Sequence, residues 1–141
     1  MEKRLREDYR HWLVQPTRWA DNDIYGHVNN AAYYGFFDTV VNCFLIEQAG
    51  LDIHAGSVIG LAVETGCNYY APLAYPQAIE SGLRVARIGS SSVQYELGLF
   101  AEGESEPAAQ GRFVHVYVDR QSRRPVPLPA PMRSALEAIH A

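Results

Sequence analysis

Ten consecutive residues, Asp21-Asn22-Asp23-Ile24-Tyr25-Gly26-His27-Val28-Asn29-Asn30, gather carboxylates, an imidazole and carboxamides around one glycine. They stand directly before a long apolar stretch with helical spacing. The first turn of a helix leaves backbone N–H groups unpaired and carries the positive end of the macrodipole, so it can hold a developing oxyanion. A carboxylate a few residues upstream supplies a base or nucleophile beside that position. Acyl transfer needs both parts. Gly26 most simply supplies a positive-φ turn and lets a ligand approach the backbone. Asp21 and Asn22 read as loop residues whose side chains stabilise an Asx turn.

The helix that must position this loop runs from about residue 31 to residue 49, with Tyr33, Phe37, Val40, Val41, Phe44 and Leu45 at helical spacing. Asn29 or Asn30 is expected to cap it and Gly50 to stop it. Phe36 and Ile46 widen the apolar surface, so the helix is expected to be covered on most sides. Before the loop, residues 9–19 alternate as a strand, with Pro16 suiting an edge or a bulge. After the helix come four strands: 58–70, 78–88, 92–100 and 112–119. The last sets Val114, Val116 and Val118 on one face against Phe113, His115 and Tyr117 on the other. The proline-rich run 125–131 reads as an extended strap leading into a short terminal helix.

Consecutive strands with short turns pair antiparallel, and one very apolar helix beside one sheet is best buried by curling the sheet around it. The expected fold class is therefore α+β, a single domain over 1–141 with five to six strands around a central helix. Such a sheet keeps an open edge and an uncovered outer face, and homodimerisation by edge pairing is the economical remedy.

At 141 residues, about half hydrophobic, with a net charge of -4, the chain reads as globular and has no general attraction to nucleic acid or anionic lipid. Its start, Met1-Glu2-Lys3-Arg4, is not a secretory leader, and no apolar run is long enough to span a membrane, so a cytoplasmic location is expected. Cys43 and Cys67 lack metal-site spacing and read as free thiols. The loop mimics the start of an EF-hand, but Tyr25 and Ala32 stand where calcium ligands are required. The histidines at 11, 27, 54, 115 and 140 show no ligand spacing, and no serine elbow or phosphate-binding glycine motif occurs.

The run Asp21-x-Asp23-x-x-Gly26-His27-Val28-Asn29-Asn30-x-x-Tyr33 resembles the acyl-CoA thioesterases of the hotdog fold, most of all the 4-hydroxybenzoyl-CoA thioesterase group. The segments Tyr70-Ala71-Pro72-Leu73, Ile88-Gly89-Ser90-Ser91-Ser92-Val93 and Arg123-Arg124-Pro125-Val126-Pro127-Leu128-Pro129 extend the likeness over nearly the whole chain. The resemblance implies hydrolysis of an acyl-CoA thioester without metal or cofactor, CoA arriving with the substrate. It implies dimers or dimers of dimers with active sites at the subunit interface. It places the catalytic carboxylate at Asp23 and the oxyanion at a backbone N–H near Asn30. Asp23 would act as nucleophile or as general base, kept ionised by the nearby helix start. His27 would donate a hydrogen bond, assist the departing thiolate, or simply brace the loop. Gly26, Asn29, Tyr33, Ser90, Ser91, Arg123 and Arg124 are the expected substrate-binding residues. Arg84, Arg87, Arg112 and Arg120 are further candidates for the CoA phosphates. Two other functions share this fold: a hydratase or dehydratase on acyl-CoA or acyl-carrier-protein substrates, and a non-catalytic acyl-CoA-binding module.

Overall fold

A computed structural model describes residues 2–141. The elements in order are β1 (His11–Gln15), α1 (Ala32–Gln48), β2 (Val58–Tyr69), β3 (Ile79–Ile88), β4 (Ser92–Ala101), β5 (Ala109–Asp119) and α2 (Ala130–Ala138). Short 3-10 turns stand at Arg6–Asp8 and Trp19–Asp21. The strands form one antiparallel sheet in the order β1-β3-β4-β5-β2, curled around α1. This is the hotdog arrangement that the resemblance implies, with five strands.

β1 is shorter than its sequence pattern. Pro16 cannot donate to a ladder, so the strand ends at Gln15 and the chain turns through Trp19–Asp21 before reaching the motif. Its inner face is polar at one end: Gln15 Nε2 donates to the Phe36 carbonyl and to Ser81 Oγ, both at 2.9 Å. This ties the strand before the loop to the helix after it.

The buried face of α1 is Tyr33, Phe36, Phe37, Val40, Val41, Phe44 and Leu45. It meets Val93, Leu97 and Leu99 of β4 and Phe113 of β5 in one cluster. Burying each such side chain contributes roughly 1.5–3 kcal/mol. Contact is closest at Gly111, where an added Cβ would come within 2.6 Å of the Phe37 ring. The opposite face, through Ala31, Gly35, Asp38, Thr39 and Ile46, is exposed in the single chain, so the helix is less covered than expected. Apart from Ile46, the side chains on that face are polar or small and have little apolar surface to bury.

Two further expectations are corrected. The helix has no carboxamide N-cap side chain: the cap is Ala31, whose N–H is taken by Asn29 Oδ1 at 2.9 Å. The terminal helix begins at Ala130, inside the proline-rich run, because Pro131 falls in its first turn, where a missing N–H costs nothing. Leu128, Met132, Leu136 and Ile139 join the same core cluster as α1.

The outer face of the sheet is partly covered after all. Tyr9 packs edge-on to Trp12 and Phe100. The Gln110 side chain brackets the arm before it, accepting from Arg4 N–H and donating to the Glu2 carbonyl, each at 2.7 Å. Cys43 and Cys67 are free thiols.

Candidate active site

The motif folds as a tight loop held by its own backbone. Asp23 N–H donates to the His27 carbonyl at 2.9 Å and Gly26 N–H to the Asp23 carbonyl at 3.1 Å. Gly26 turns the corner at φ 82, in the region that favours glycine. Val28 N–H donates to Leu73 and Asn29 N–H to Asp21, which anchors the loop to the segment after β2 and to the preceding turn. Asp21 is buried and structural: its carboxylate accepts from Arg18 N–H at 2.7 Å and from the Arg18 guanidinium at 2.9 Å. Burial works against that carboxylate, but the bonds and charge of Arg18 outweigh it and hold its pKa below the ordinary value. Asn22 Oδ1 accepts from Tyr75 N–H at 3.1 Å.

Asp23 is half-buried. Its Oδ1 accepts from Tyr25 N–H at 2.9 Å, so the Asx turn falls here, and its second oxygen has no partner among the described residues. The side chain lines an open-mouthed cleft of about 460 Å³ shared with His27, Asn30, Tyr33 and the end of β2 at Tyr69. Tyr33 is buried, its ring edge-on to Tyr69 at 4.9 Å, and burial raises its pKa. His27 is exposed at the mouth.

The amides at the helix entrance can be accounted for one by one. Val28 and Asn29 donate as above, Ala31 donates to Asn29 Oδ1, and Ala32 donates to the Asn29 carbonyl. Asn30 N–H alone in that stretch has no acceptor among the described residues. The carbonyl of the same residue is held by Tyr69, which also lines the cleft and donates from Oη at 2.9 Å. Asp23 and Asn30, whose N–H is free, thus line the same cleft.

Of the expected residues, Asp23, Gly26, His27, Asn29, Asn30 and Tyr33 come together at this end of the sheet. Ser90, Ser91, Arg123 and Arg124 do not join them. Ser90 and Ser91 sit in the β3–β4 turn, where their carbonyls accept from Leu128 N–H and Tyr117 N–H. Arg123 (φ 62) and Arg124 are exposed in the turn after β5, bonded to Asp119. Val58 pairs with Asp119 and Tyr69 with Ala109, so the length of β2 separates the two groups. At about 3.3 Å per residue that is roughly 35 Å. Arg84 is buried against Glu96, Arg112 pairs with Glu64, and Arg120 donates to the Gly56 and Ile53 carbonyls, so those three serve the fold. Tyr69 and Tyr70, which line the cleft, were not among the expected site residues. In the sequence they close the strand run 58–70, and Tyr70 opens one of the segments that carry the family likeness.

Among the described residues, no group of three or more His, Cys, Asp and Glu side chains is placed to hold a metal ion. No described helix is long and apolar enough to cross a membrane.

The model of a family described as the thioesterase-like superfamily matches residues 17–136. The chain is similar to a crystal structure of a protein from Pseudomonas aeruginosa strain PAO1, with 61% identity, a TM-score of 0.97, and 99% of this chain and 98% of that one covered. A second Pseudomonas aeruginosa protein, named provisionally as a thioesterase, is 27% identical with a TM-score of 0.83, covering 89% of this chain and 97% of that one. A 1,4-dihydroxy-2-naphthoyl-CoA thioesterase from Synechocystis shares the fold at 17% identity and a TM-score of 0.80, covering 89% of this chain and 93% of that one. No curated protein matches the chain.

Proposed function

We propose, because this chain belongs to the thioesterase-like superfamily, that it is an acyl-CoA thioesterase releasing a free acid and CoA. One observation carries the reading: Asp23 and Asn30, whose N–H is unpartnered, line one cleft. The thioester carbonyl oxygen would rest on the Asn30 amide, a donor typically worth about 3 kcal/mol to the transition state. Asp23 acts in one of two ways. As general base it takes a proton from water, whose oxygen attacks the carbonyl carbon. As nucleophile it forms an acyl–aspartyl anhydride, which water then opens. In both, the C–S bond breaks and the CoA thiolate leaves, collecting a proton from the cleft or from water. His27, at the mouth, can supply a hydrogen bond to that sulfur.

The reading includes a homodimer. β2 is an edge strand with Leu61 and Val63 exposed, a free ladder that a second copy can pair. Antiparallel pairing of β2 with itself reverses the strand across the two-fold, so the Val58 end of one copy meets the Tyr69 end of the other. That would carry Ser90, Ser91, Arg123 and Arg124 of a second copy toward the cleft holding Asp23, within reach of the pantetheine and phosphates of CoA. The substrate is the only partner required, and no separate cofactor is. A cytoplasmic location suits an enzyme that draws on the CoA pool.

The test is release of free thiol from a panel of aryl, short branched and medium-chain acyl-CoA thioesters. Turnover of at least one supports the reading. Hydration of a 2-enoyl-CoA without thiol release would replace it with a hydratase, and tight binding without either reaction would replace it with a binding module.

A further inference from the structure

A second chamber lies at the other end of α1, away from Asp23. It holds about 180 Å³ and is walled by Leu45, Leu51, Ile53 and Ile59, with Asn42, Gly60 and His115 completing its lining. His115 is 4% exposed, on the inner face of β5. Its Nδ1 lies 3.4 Å from Tyr117 Oη, which lies 2.7 Å from Tyr95 Oη. Both tyrosines are wholly buried.

Counting hydrogens sets the direction of this chain. If His115 carried its proton on Nδ1 and donated to Tyr117, one tyrosine O–H would be left without an acceptor, whichever way the two hydroxyls bonded. A buried orphan of that kind costs about 1–3 kcal/mol. Run the other way, Tyr95 donates to Tyr117, Tyr117 donates to Nδ1, and neither hydroxyl hydrogen is wasted. Burial lowers the His115 pKa, against a smaller opposing pull from Asp38, so the ring is neutral at pH 7. Its single proton then sits on Nε2, which has no partner among the described residues. Asn42 spends its Nδ2 on the Asp38 carbonyl and Oδ1 at 2.9 and 3.1 Å, leaving its own Oδ1 free.

We propose that this chamber binds a small apolar group, a six-membered ring or a chain of similar bulk, tipped by an oxygen that accepts from His115 Nε2–H. A hydroxyl fits best, since it can also donate to Asn42 Oδ1. The size agrees: an apolar cavity of about 150 Å³ accommodates benzene. The site stands independently of the chemistry at Asp23. The group can be the tail of a bound acyl chain or a free small molecule.

Phenol and toluene have nearly the same shape and differ in the oxygen, so their titration into the folded protein, followed by NMR, tests the site. Phenol is expected to bind at least tenfold more tightly than toluene, and His115→Phe is expected to abolish that preference. Tyr117→Phe, which removes the donor to Nδ1, is expected to weaken it and serves if the first variant does not fold. Long-range ¹H–¹⁵N spectra of the imidazole should show the Nε2–H tautomer. An Nδ1–H tautomer, equal affinity for the two probes, or binding of neither would overturn the proposal. Phenol that binds and competes with a thioester identifies the occupant as the acyl tail. Phenol that binds and leaves hydrolysis unchanged identifies a separate ligand.

Discussion

Tyr69, at the end of β2, donates from its hydroxyl to the carbonyl of Asn30 at 2.9 Å, and the N–H of that same residue is the free amide at the entrance to α1. The sheet therefore steadies the helix entrance through a residue that itself lines the cleft. Rigid donors stabilise a transition-state charge better than donors that must reorganise.

Tyr69→Phe removes this brace but keeps the ring against Tyr33. A net hydrogen bond is worth about 0.5–1.5 kcal/mol, so the denaturation midpoint should fall only slightly. The turnover number should drop several-fold with KM little changed. Steady-state kinetics on any cleaved thioester, beside urea melts, check both halves.

The free edge of β2 should be sensitive to charge. Val63 is 60% exposed and stands at the register shift between Ala62 and Glu64. Val63→Lys should leave the monomer folded, weaken self-association, and lower activity in proportion, because the proposed CoA contacts come from the second copy. Sedimentation velocity read against thiol release would show whether the two losses track each other.

Gly111→Ala should destabilise the fold by about 1–3 kcal/mol, the usual cost of overpacking. The new methyl would press on Phe37, an aromatic ring fixed in the core, and not on a side chain free to swing away. Guanidinium unfolding measures the change.

Stability should fall in two separate acid steps. Burial depresses the pKa of His115 and of His11 in the folded chain, so protons favour the unfolded state. This contribution is full above the ordinary histidine value of about 6.5, falls as pH drops through it, and levels off below the depressed folded value. Asp21, held low by Arg18, adds stability that is present above its unfolded value of about 3.9 and lost as pH falls further. His115→Phe should flatten the first step and spare the second. Thermal melts across pH 3–8 would resolve them.

Much of this was legible in the chain. α1 and the four strands after it follow from apolar period, and the motif loop from its glycine and its acids. What periodicity could not supply was placement. Pro16 marked the end of β1, but the 3-10 turn at Trp19–Asp21 depends on the Asp21–Arg18 bonds. Pro131 looked like a helix breaker because its position in the first turn was invisible without the cap. The segments that hold Ser90 and Arg123 carry the family likeness along with the Asp23 loop, yet strand order puts them at the far end of the sheet. His115 read as one more alternating residue of β5, since its link to Tyr95 needs the β4–β5 register, which pairs Tyr95 with Phe113.

The most direct measurement is single-turnover thiol release by Asp23→Asn on a thioester the unmodified enzyme cleaves. Asparagine keeps the Oδ1 acceptor for Tyr25 N–H and removes only the charge, so the loop should stand. The account predicts a loss of at least a thousandfold in the chemical step, with circular dichroism and sedimentation unchanged. Turnover near that of the unmodified enzyme would contradict it.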